Sequence, residues 1–349
     1  MSQLEFHELR VTEVSPLTED AIAVTFDVPP DLESTFDFIP GQHVTVRAFL
    51  DDVDIRRSYS ICAPAGSGKL RVGIKRLPGG AFSTHATTQL EAGDVLEVMP
   101  PVGEFIIDID PTRPRKAVAI AAGSGITPVL SLISSSLENE PDSSWTLIYG
   151  NRTANSIMFL DELEGLKDRY HPRFQLFHIL SREGSDVPLL SGRIDAEKIK
   201  TIHDRLLGTD EVDGWYLCGP YDMVMDVRAT LTELGARPET VHDELFFAGP
   251  LDQEALPPEP PSGDGSIDLT VILDGRAVDT RMTAETSILD AALRVRNELP
   301  FSCKGRIEEG EVRMDKNYAL VDSEVEAGFV LTCQAHPTTD RVVVRYDHR

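Results

Sequence analysis

The hydrophobic period of this chain changes once, near Pro111 and Pro114. Before that point, apolar residues recur in short runs bounded by Gly, Pro or Asp. The runs are residues 11–28 (with AIAVTFDV), 43–49, 55–62, 70–76 and 95–99. β-Rich runs of this length predict strands. Only residues 82–90 read as a helix. Many short strands with little helix predict an antiparallel barrel. Beyond Pro114, apolar strands alternate with helical faces. Residues 117–122 form a strand, and Ile126, Val129, Leu130, Ile133 and Leu137 mark one helix face. Strand 145–149, helix 156–170, strand 174–180, helix 195–207, strand 215–218 and helix 221–234 follow. This order requires a parallel sheet with helices on both faces.

Residues 249–265, GPLDQEALPPEPPSGDG, hold five prolines and no large apolar cluster, which marks a linker. A third unit follows. Ile267, Leu269, Val271 and Leu273 alternate, Asp274-Gly275 turns the chain, and Val278, Thr280 and Met282 return. A capped helix over 286–299 and a strand over 341–346 complete a small α+β unit. The expected domains are 1–110 (β-barrel), 111–247 (α/β), linker 248–265 and 266–349 (α+β).

The formal net charge is −25, spread along the whole chain. Such a surface repels phosphate backbones and anionic lipid, so neither nucleic acid nor membrane is expected as a partner. No apolar run reaches the roughly 18–20 residues of a membrane helix. The start, MSQLEFHELRVTEV, lacks a basic-then-apolar pattern, so the chain reads as cytoplasmic. Four cysteines, Cys62, Cys218, Cys303 and Cys333, are too few for a disulfide scaffold.

Four segments carry chemistry. Arg57-Ser58-Tyr59-Ser60 offers a cation, an aromatic plane and a hydroxyl on one strand. A flavin needs those three groups, for its pyrophosphate, its ring and its N5. Alternation puts Arg57 and Tyr59 on one face and Ser60 on the other. Residues 79–84, GGAFST, lead glycines into a helix, where backbone N–H groups approach a diphosphate. Residues 123–128, GSGITP, follow a strand and open a helix, as in a dinucleotide site, although Pro128 replaces the last glycine of G-x-G-x-x-G. Cys218-Gly219-Pro220 ends another parallel strand, where ligands bind and a thiol can lie beside a nicotinamide.

These segments, with Pro40-Gly41-Gln42, Tyr149-Gly150-Asn151-Arg152 and Glu244-x-Phe246, resemble the ferredoxin–NADP reductase superfamily over the first 247 residues. Within it, the chain is similar to the reductase components of phenylacetyl-CoA epoxidase and related oxygenases, which carry a plant-type ferredoxin domain. The resemblance implies an FAD-binding barrel, a nicotinamide-nucleotide domain and a ferredoxin-like domain. It implies an oxygenase component or another electron acceptor as partner. Arg57 would hold the FAD pyrophosphate, Tyr59 would pack on the flavin, and Ser60 would bond near N5. Gly80 and Ser83 would bind phosphate. Gly123, Gly125 and Thr127 would cradle the nicotinamide nucleotide, beside Gly219, Pro220 and Phe246. Cys218 and Glu244 would lie near the hydride-transfer pair. Hydride transfer needs no general acid or base, so the protein's task is alignment and electrostatics.

The second and third strands of the nucleotide domain end in Asn151-Arg152 and Ser181-Arg182, with Glu183 one residue later. Arg suits a 2′-phosphate, so NADPH is favoured, with NADH the alternative. A plant-type [2Fe–2S] cluster needs thiolates spaced C-x4-C-x2-C…C. Cys303 and Cys333 match the first and last ligands, but Arg306-Ile307-Glu308-Glu309-Gly310 supplies no cysteine between them. Either this chain carries no cluster, or the sequence lacks residues that the working protein has between Cys303 and Cys333; a cluster shared by two chains is a further alternative. Without a cluster, the third domain is expected to be an interaction module on a flavin reductase.

Overall fold

The computed structural model describes residues 5–50, 53–207, 212–245, 260, 266–273, 275–295, 304–315, 317, 320 and 322–346. Strands β1 (His7–Thr18), β2 (Ala21–Asp27), β3 (His43–Leu50), β4 (Val53–Ser60), β5 (Leu70–Lys75) and β6 (Val95–Val98) form one sheet in the order β4-β3-β6-β1-β2-β5. Every pair in it is antiparallel. A bridge from Ile61 to Val72 ties the chain beyond β4 to β5 and curls the sheet on itself. Val11, Val24, Val44, Val46 and Val72 fill its interior, and helix α1 (Ala81–Thr88) closes it with Phe82 and Ala86. Burying a side chain like Phe82 contributes roughly 1.5–3 kcal/mol. The turn at Gly41 has φ +94, and a Cβ there would overlap the Phe105 carbonyl. Only glycine lets the two backbones meet at that point.

The second sheet contains β7 (Lys116–Ala122), β8 (Ser144–Asn151), β9 (Phe174–Leu180), β10 (Gly214–Gly219) and β11 (Val241–Leu245), in the order β11-β10-β7-β8-β9. All its pairs are parallel. Alternate residues of β7 face opposite layers. Ala117, Ala119 and Ala121 pack with α2 (Ile126–Asn139) and α3 (Leu160–Tyr170), whereas Val118 and Ile120 pack with α4 (Ala196–Ile202) and α5 (Tyr221–Glu233). This is the doubly wound arrangement expected from the alternation of strands and helices.

Two local readings change. Helix α3 begins at Leu160 and not at residue 156, because Phe159 adopts φ 58 after a short turn at Ala154–Ser156. The turn drives the Phe159 ring to the barrel, where it borders Gly73 of β5 and stacks 5.4 Å from the Arg71 guanidinium. Strand β11 was not anticipated from the sequence. Its polar stretch His242-Asp243-Glu244 lies on a sheet edge, where no long apolar run is needed.

Barrel and parallel sheet meet through directed contacts. Arg71 donates through Nη2 to both oxygens of Glu162, at 2.8 and 2.9 Å. Ser131 Oγ donates to the Ala63 carbonyl at 2.7 Å, and Ala65 N–H donates to Ser135 Oγ at 2.9 Å. The third sheet follows the linker, of which only Pro260 is among the described residues. It comprises β12 (Ile267–Leu273), β13 (Arg276–Met282), β14 (Lys304–Glu309), β16 (Phe329–Leu331) and β18 (Arg341–Arg345), ordered β13-β12-β18-β14-β16. Strands β15 (Val312–Met314) and β17 (Ala335–Pro337) pair separately, with α6 (Ile288–Val295) and α7 (Asp322–Glu326) as the helices. Leu269, Val271, Ile288, Ala291, Val342 and Val344 make the core.

Candidate active site

In the order β11-β10-β7-β8-β9, the chain winds one way from β7 to β9 and the other way to β10 and β11. The crevice between the carboxyl ends of β7 and β10 is where such sheets bind ligands. The turn Gly123–Gly125 leaves β7 and Gly219-Pro220 leaves β10, so both expected segments border that crevice. A Cβ on Gly125 would overlap the Cys218 carbonyl, which shows how closely the turn lies on β10. Thr127 is buried and donates to the Ser124 carbonyl at 3.0 Å, bracing the first turn of α2. Its methyl borders Gly73 of the barrel, so this turn also forms part of the domain joint.

At the joint, Ser60 and Glu244 come together across 184 residues of chain: Ser60 Oγ donates to Glu244 Oε2 at 3.1 Å. The antiparallel register sets His43 opposite Ser60, and His43 Nδ1 lies 3.8 Å from Glu244 Oε1. Each carboxyl oxygen therefore faces one barrel residue. Burial raises the Glu244 carboxyl to about 7, against the lowering effect of the Ser60 hydroxyl. Burial also lowers His43 to about 4. Near pH 7 the imidazole is neutral and the carboxyl is poised between its two forms, so this is a proton-holding cluster and not an ion pair. Cys218, opposite Glu244 in the β10–β11 register, is fully buried. Burial, reinforced by the Glu244 and Asp243 carboxylates, pushes its thiol well above the usual range. Cys218 is thus a packed thiol and not a nucleophile. His43 was missed in the sequence because its partner becomes visible only with the β3–β4 register.

Tyr59 leaves β4 toward α1, its ring 5.7 Å from that of Phe82. Arg57 folds back along its strand, donating through Nη1 to the Arg56 carbonyl at 2.7 Å. Gly80 caps α1 without a side-chain hydrogen bond. The Ser83 hydroxyl accepts from Leu77 N–H at 3.1 Å and donates to the Gly80 carbonyl at 3.2 Å. Ser83 therefore shapes the turn, and the opening N–H groups of α1 receive no side-chain cap.

The ends of β8 and β9 run side by side. Ser181 N–H donates to the Asn151 carbonyl at 2.9 Å and Arg182 N–H to the Arg152 carbonyl at 2.8 Å. Arg152, Ser181 and Arg182 are exposed there. Glu183 is exposed too, one carboxylate oxygen accepting from Ala154 N–H at 3.0 Å. Asn151 is buried beside the Tyr149 hydroxyl, which donates to the Gly123 carbonyl at 2.8 Å. These observations fit FAD and a nicotinamide nucleotide. Phe246 lies outside the described residues.

A [2Fe–2S] cluster does not fit. Cys62 and Cys218 are fully buried in the first two domains, and burial pushes the Cys62 thiol up to about 12. Cys333 is half-buried against the third core, and Cys303 lies outside the described residues. Among the described residues, no group of three or more His, Cys, Asp or Glu is arranged to hold a metal ion. No helix among them is long and apolar enough to cross a membrane.

Comparison with known proteins identifies all three units. The oxidoreductase FAD-binding domain matches residues 8–107, the oxidoreductase NAD-binding domain 119–229, and the 2Fe-2S iron-sulfur cluster binding domain 271–338. The fold and site therefore define an NAD(P)H-dependent flavoprotein oxidoreductase that moves electrons from nicotinamide to FAD. The chain is 42% identical to one of the subunits of 1,2-phenylacetyl-CoA epoxidase of Escherichia coli (strain K12), over 98% of both chains. It is 30% identical to the ferredoxin reductase component of 3-ketosteroid-9-alpha-monooxygenase of Mycolicibacterium smegmatis, over 97% of both. The chain belongs to this family of oxygenase reductase components. Phthalate dioxygenase reductase, described as a modular structure for electron transfer from pyridine nucleotides to [2Fe-2S], shares the fold at TM-score 0.59 and 23% identity, over 97% of this chain and 98% of that one.

Proposed function

We propose that the chain takes hydride from NADPH onto FAD at the Ser60–Glu244 joint and delivers the electrons to an oxygenase component of the phenylacetyl-CoA epoxidase type. The hydrogen bond between Ser60 and Glu244 carries this reading, because it brings the flavin strand and the nucleotide sheet to one point. FAD, when bound, accepts two electrons as hydride and can release them singly.

The residues divide the work. Arg57 neutralises the FAD pyrophosphate together with the N–H groups opening α1 after Gly80, a turn shaped by Ser83. Tyr59 supports the flavin ring and Ser60 bonds its N5 edge. Gly123, Gly125 and Thr127 receive the nucleotide diphosphate, with Gly219, Pro220 and Phe246 on the nicotinamide side. Asn151 lines the same end of the sheet, while Arg152, Ser181 and Arg182 recognise the 2′-phosphate. The exposed Arg152 and Arg182 at the adjoining ends of β8 and β9 support NADPH over NADH. Glu244 holds a proton beside Ser60, and Cys218 packs behind the nicotinamide as a neutral thiol.

Anaerobic titration of the purified protein with NADPH and with NADH, followed optically, tests this reading. Bleaching of a bound flavin by one equivalent of NADPH, at lower concentration than NADH requires, is expected. A chain that takes up no flavin, or a flavin that NADPH leaves oxidised, would overturn it.

A further inference from the structure

Counting from Cys303, the spacing C-x4-C-x2-C puts the second and third ligands at Glu308 and Glu311. Glu308 lies within a strand, and Glu311 lies in the two-residue connection from β14 to β15, too short to wrap a metal. Glu308 is on β14, and its carboxylate accepts from Arg345 Nε at 2.6 Å and Nη2 at 3.1 Å. Glu311 follows at once, its N–H donating to Thr339 Oγ1 at 3.0 Å. Strand β14 begins at Lys304, immediately after Cys303. It is paired on both sides, Gly305 with Val330 of β16 and Ile307 with Val344 of β18. A Cβ at Gly305 would come within 2.7 Å of the Thr332 and Val344 side chains, so the strand is seated in the core from its second residue. The chain passes directly from the first ligand position into the sheet, and no length remains for a ligand loop.

The described strands and helices of the domain pack into one core, and the domain is held against the barrel. Glu324 of α7 accepts from Lys304 Nζ at 2.6 Å and from Arg56 Nη1 of β4 at 2.8 Å. The Arg56 and Glu324 side chains are only 12% and 14% exposed. The contact joins the neighbour of Cys303 to the neighbour of Arg57. Lys304 is thereby tied to the strand assigned to the flavin, while two of the four cysteine ligands are missing from the sequence.

We propose that this chain holds no [2Fe–2S] cluster and that electrons leave it directly from the flavin site to a one-electron ferric acceptor outside the chain. The proposal rests on the function given above. The step balances: each NADPH gives a hydride and leaves as NADP⁺, and the two electrons of that hydride reduce two ferric acceptors to ferrous. The hydride's proton goes to solvent. No thiolate in the third domain changes oxidation state.

The test uses the full chain purified anaerobically and incubated with ferrous iron, sulfide and thiol reductant, then desalted. Expected are FAD with no acid-labile sulfide, a pure flavin spectrum, and no paramagnetic signal of a binuclear iron centre after dithionite. NADPH-driven ferricyanide reduction should be unchanged in Cys303→Ser and Cys333→Ser. Two irons and two sulfides per chain, or per pair of chains, with that signal would overturn the proposal. So would loss of ferricyanide reduction in either serine variant with its flavin retained. A second variant inserts x-x-C-x-x-C after Gly305, completing C-x4-C-x2-C from Cys303. Its acquiring a cluster under the same incubation supports the reading of Cys303 and Cys333 as an orphaned ligand pair. A folded insertion variant that binds no iron would refute that reading. Iron and sulfide are measured without turnover. A flavin that NADPH fails to bleach therefore defeats the function and the exit route, and the metal analysis stands apart from it.

Discussion

The Glu244 carboxyl gives a quantitative test of the domain joint. Its side chain is 20% exposed and its proton affinity is raised from the usual 4.5 to about 7, first by burial. That difference corresponds to about 3 kcal/mol between the two protonation states. Below pH 4.5 the group is protonated in both folded and unfolded chains, and its burial carries no electrostatic penalty. As pH rises from 4.5 through about 7, the unfolded chain releases the proton first, and native stability falls by up to about 3 kcal/mol. Above that window the loss is complete. Glu244→Gln removes the titration and keeps an oxygen that accepts from Ser60. The variant should gain on the wild type steadily between pH 4.5 and 7, reaching about 3 kcal/mol, and hold a constant advantage above. The two tryptophans of the chain, Trp145 on β8 and Trp215 on β10, both report on the nucleotide sheet that carries Glu244. Denaturant unfolding followed by tryptophan fluorescence from pH 4.5 to 8.5 therefore reads the right unit. Wild type and variant differing by the same amount at every pH would refute the argument.

Three further outcomes are expected. Gly125→Ala forces a methyl into the Cys218 carbonyl, so it should destabilise the nucleotide sheet by about 1–3 kcal/mol. NADPH affinity should fall while flavin content stays at wild-type level; thermal melting and anaerobic titration check both. Arg152→Ala should raise the NADPH KM about tenfold, or roughly 1.4 kcal/mol, and leave the NADH KM unchanged; equal changes for both coenzymes would remove Arg152 from 2′-phosphate recognition. Glu324→Gln leaves Arg56 and Lys304 without their shared carboxylate, costing about 3–5 kcal/mol of domain docking. Small-angle scattering should then show a larger radius of gyration, and an unchanged profile would show that the ion cluster does not hold the third domain.

Hydrophobic period made the three-unit architecture readable, because a strand buried on one face and a helix on a doubly wound sheet impose different repeats. The FAD- and NAD-binding domains were readable for a related reason. Residues 57–60 and 123–128 each lie within one strand or one turn, where neighbours in sequence are neighbours in space. The breaks came where that locality ends. Phe159 departs from the helix because the barrel receives its ring, and β11 forms despite a polar sequence because β10 offers a free edge.

Sequence alone also established that two of the four cysteines of a plant-type ligand set are missing, since cysteine number and spacing are read along the chain. Only tertiary structure decided that Ser60 and His43 both face the Glu244 carboxyl, that Glu183 accepts from Ala154 N–H, and that Glu324 bridges Lys304 to Arg56. Hydrogen bonds and burial act across space, between segments up to 268 residues apart, and one-dimensional order holds no record of those distances.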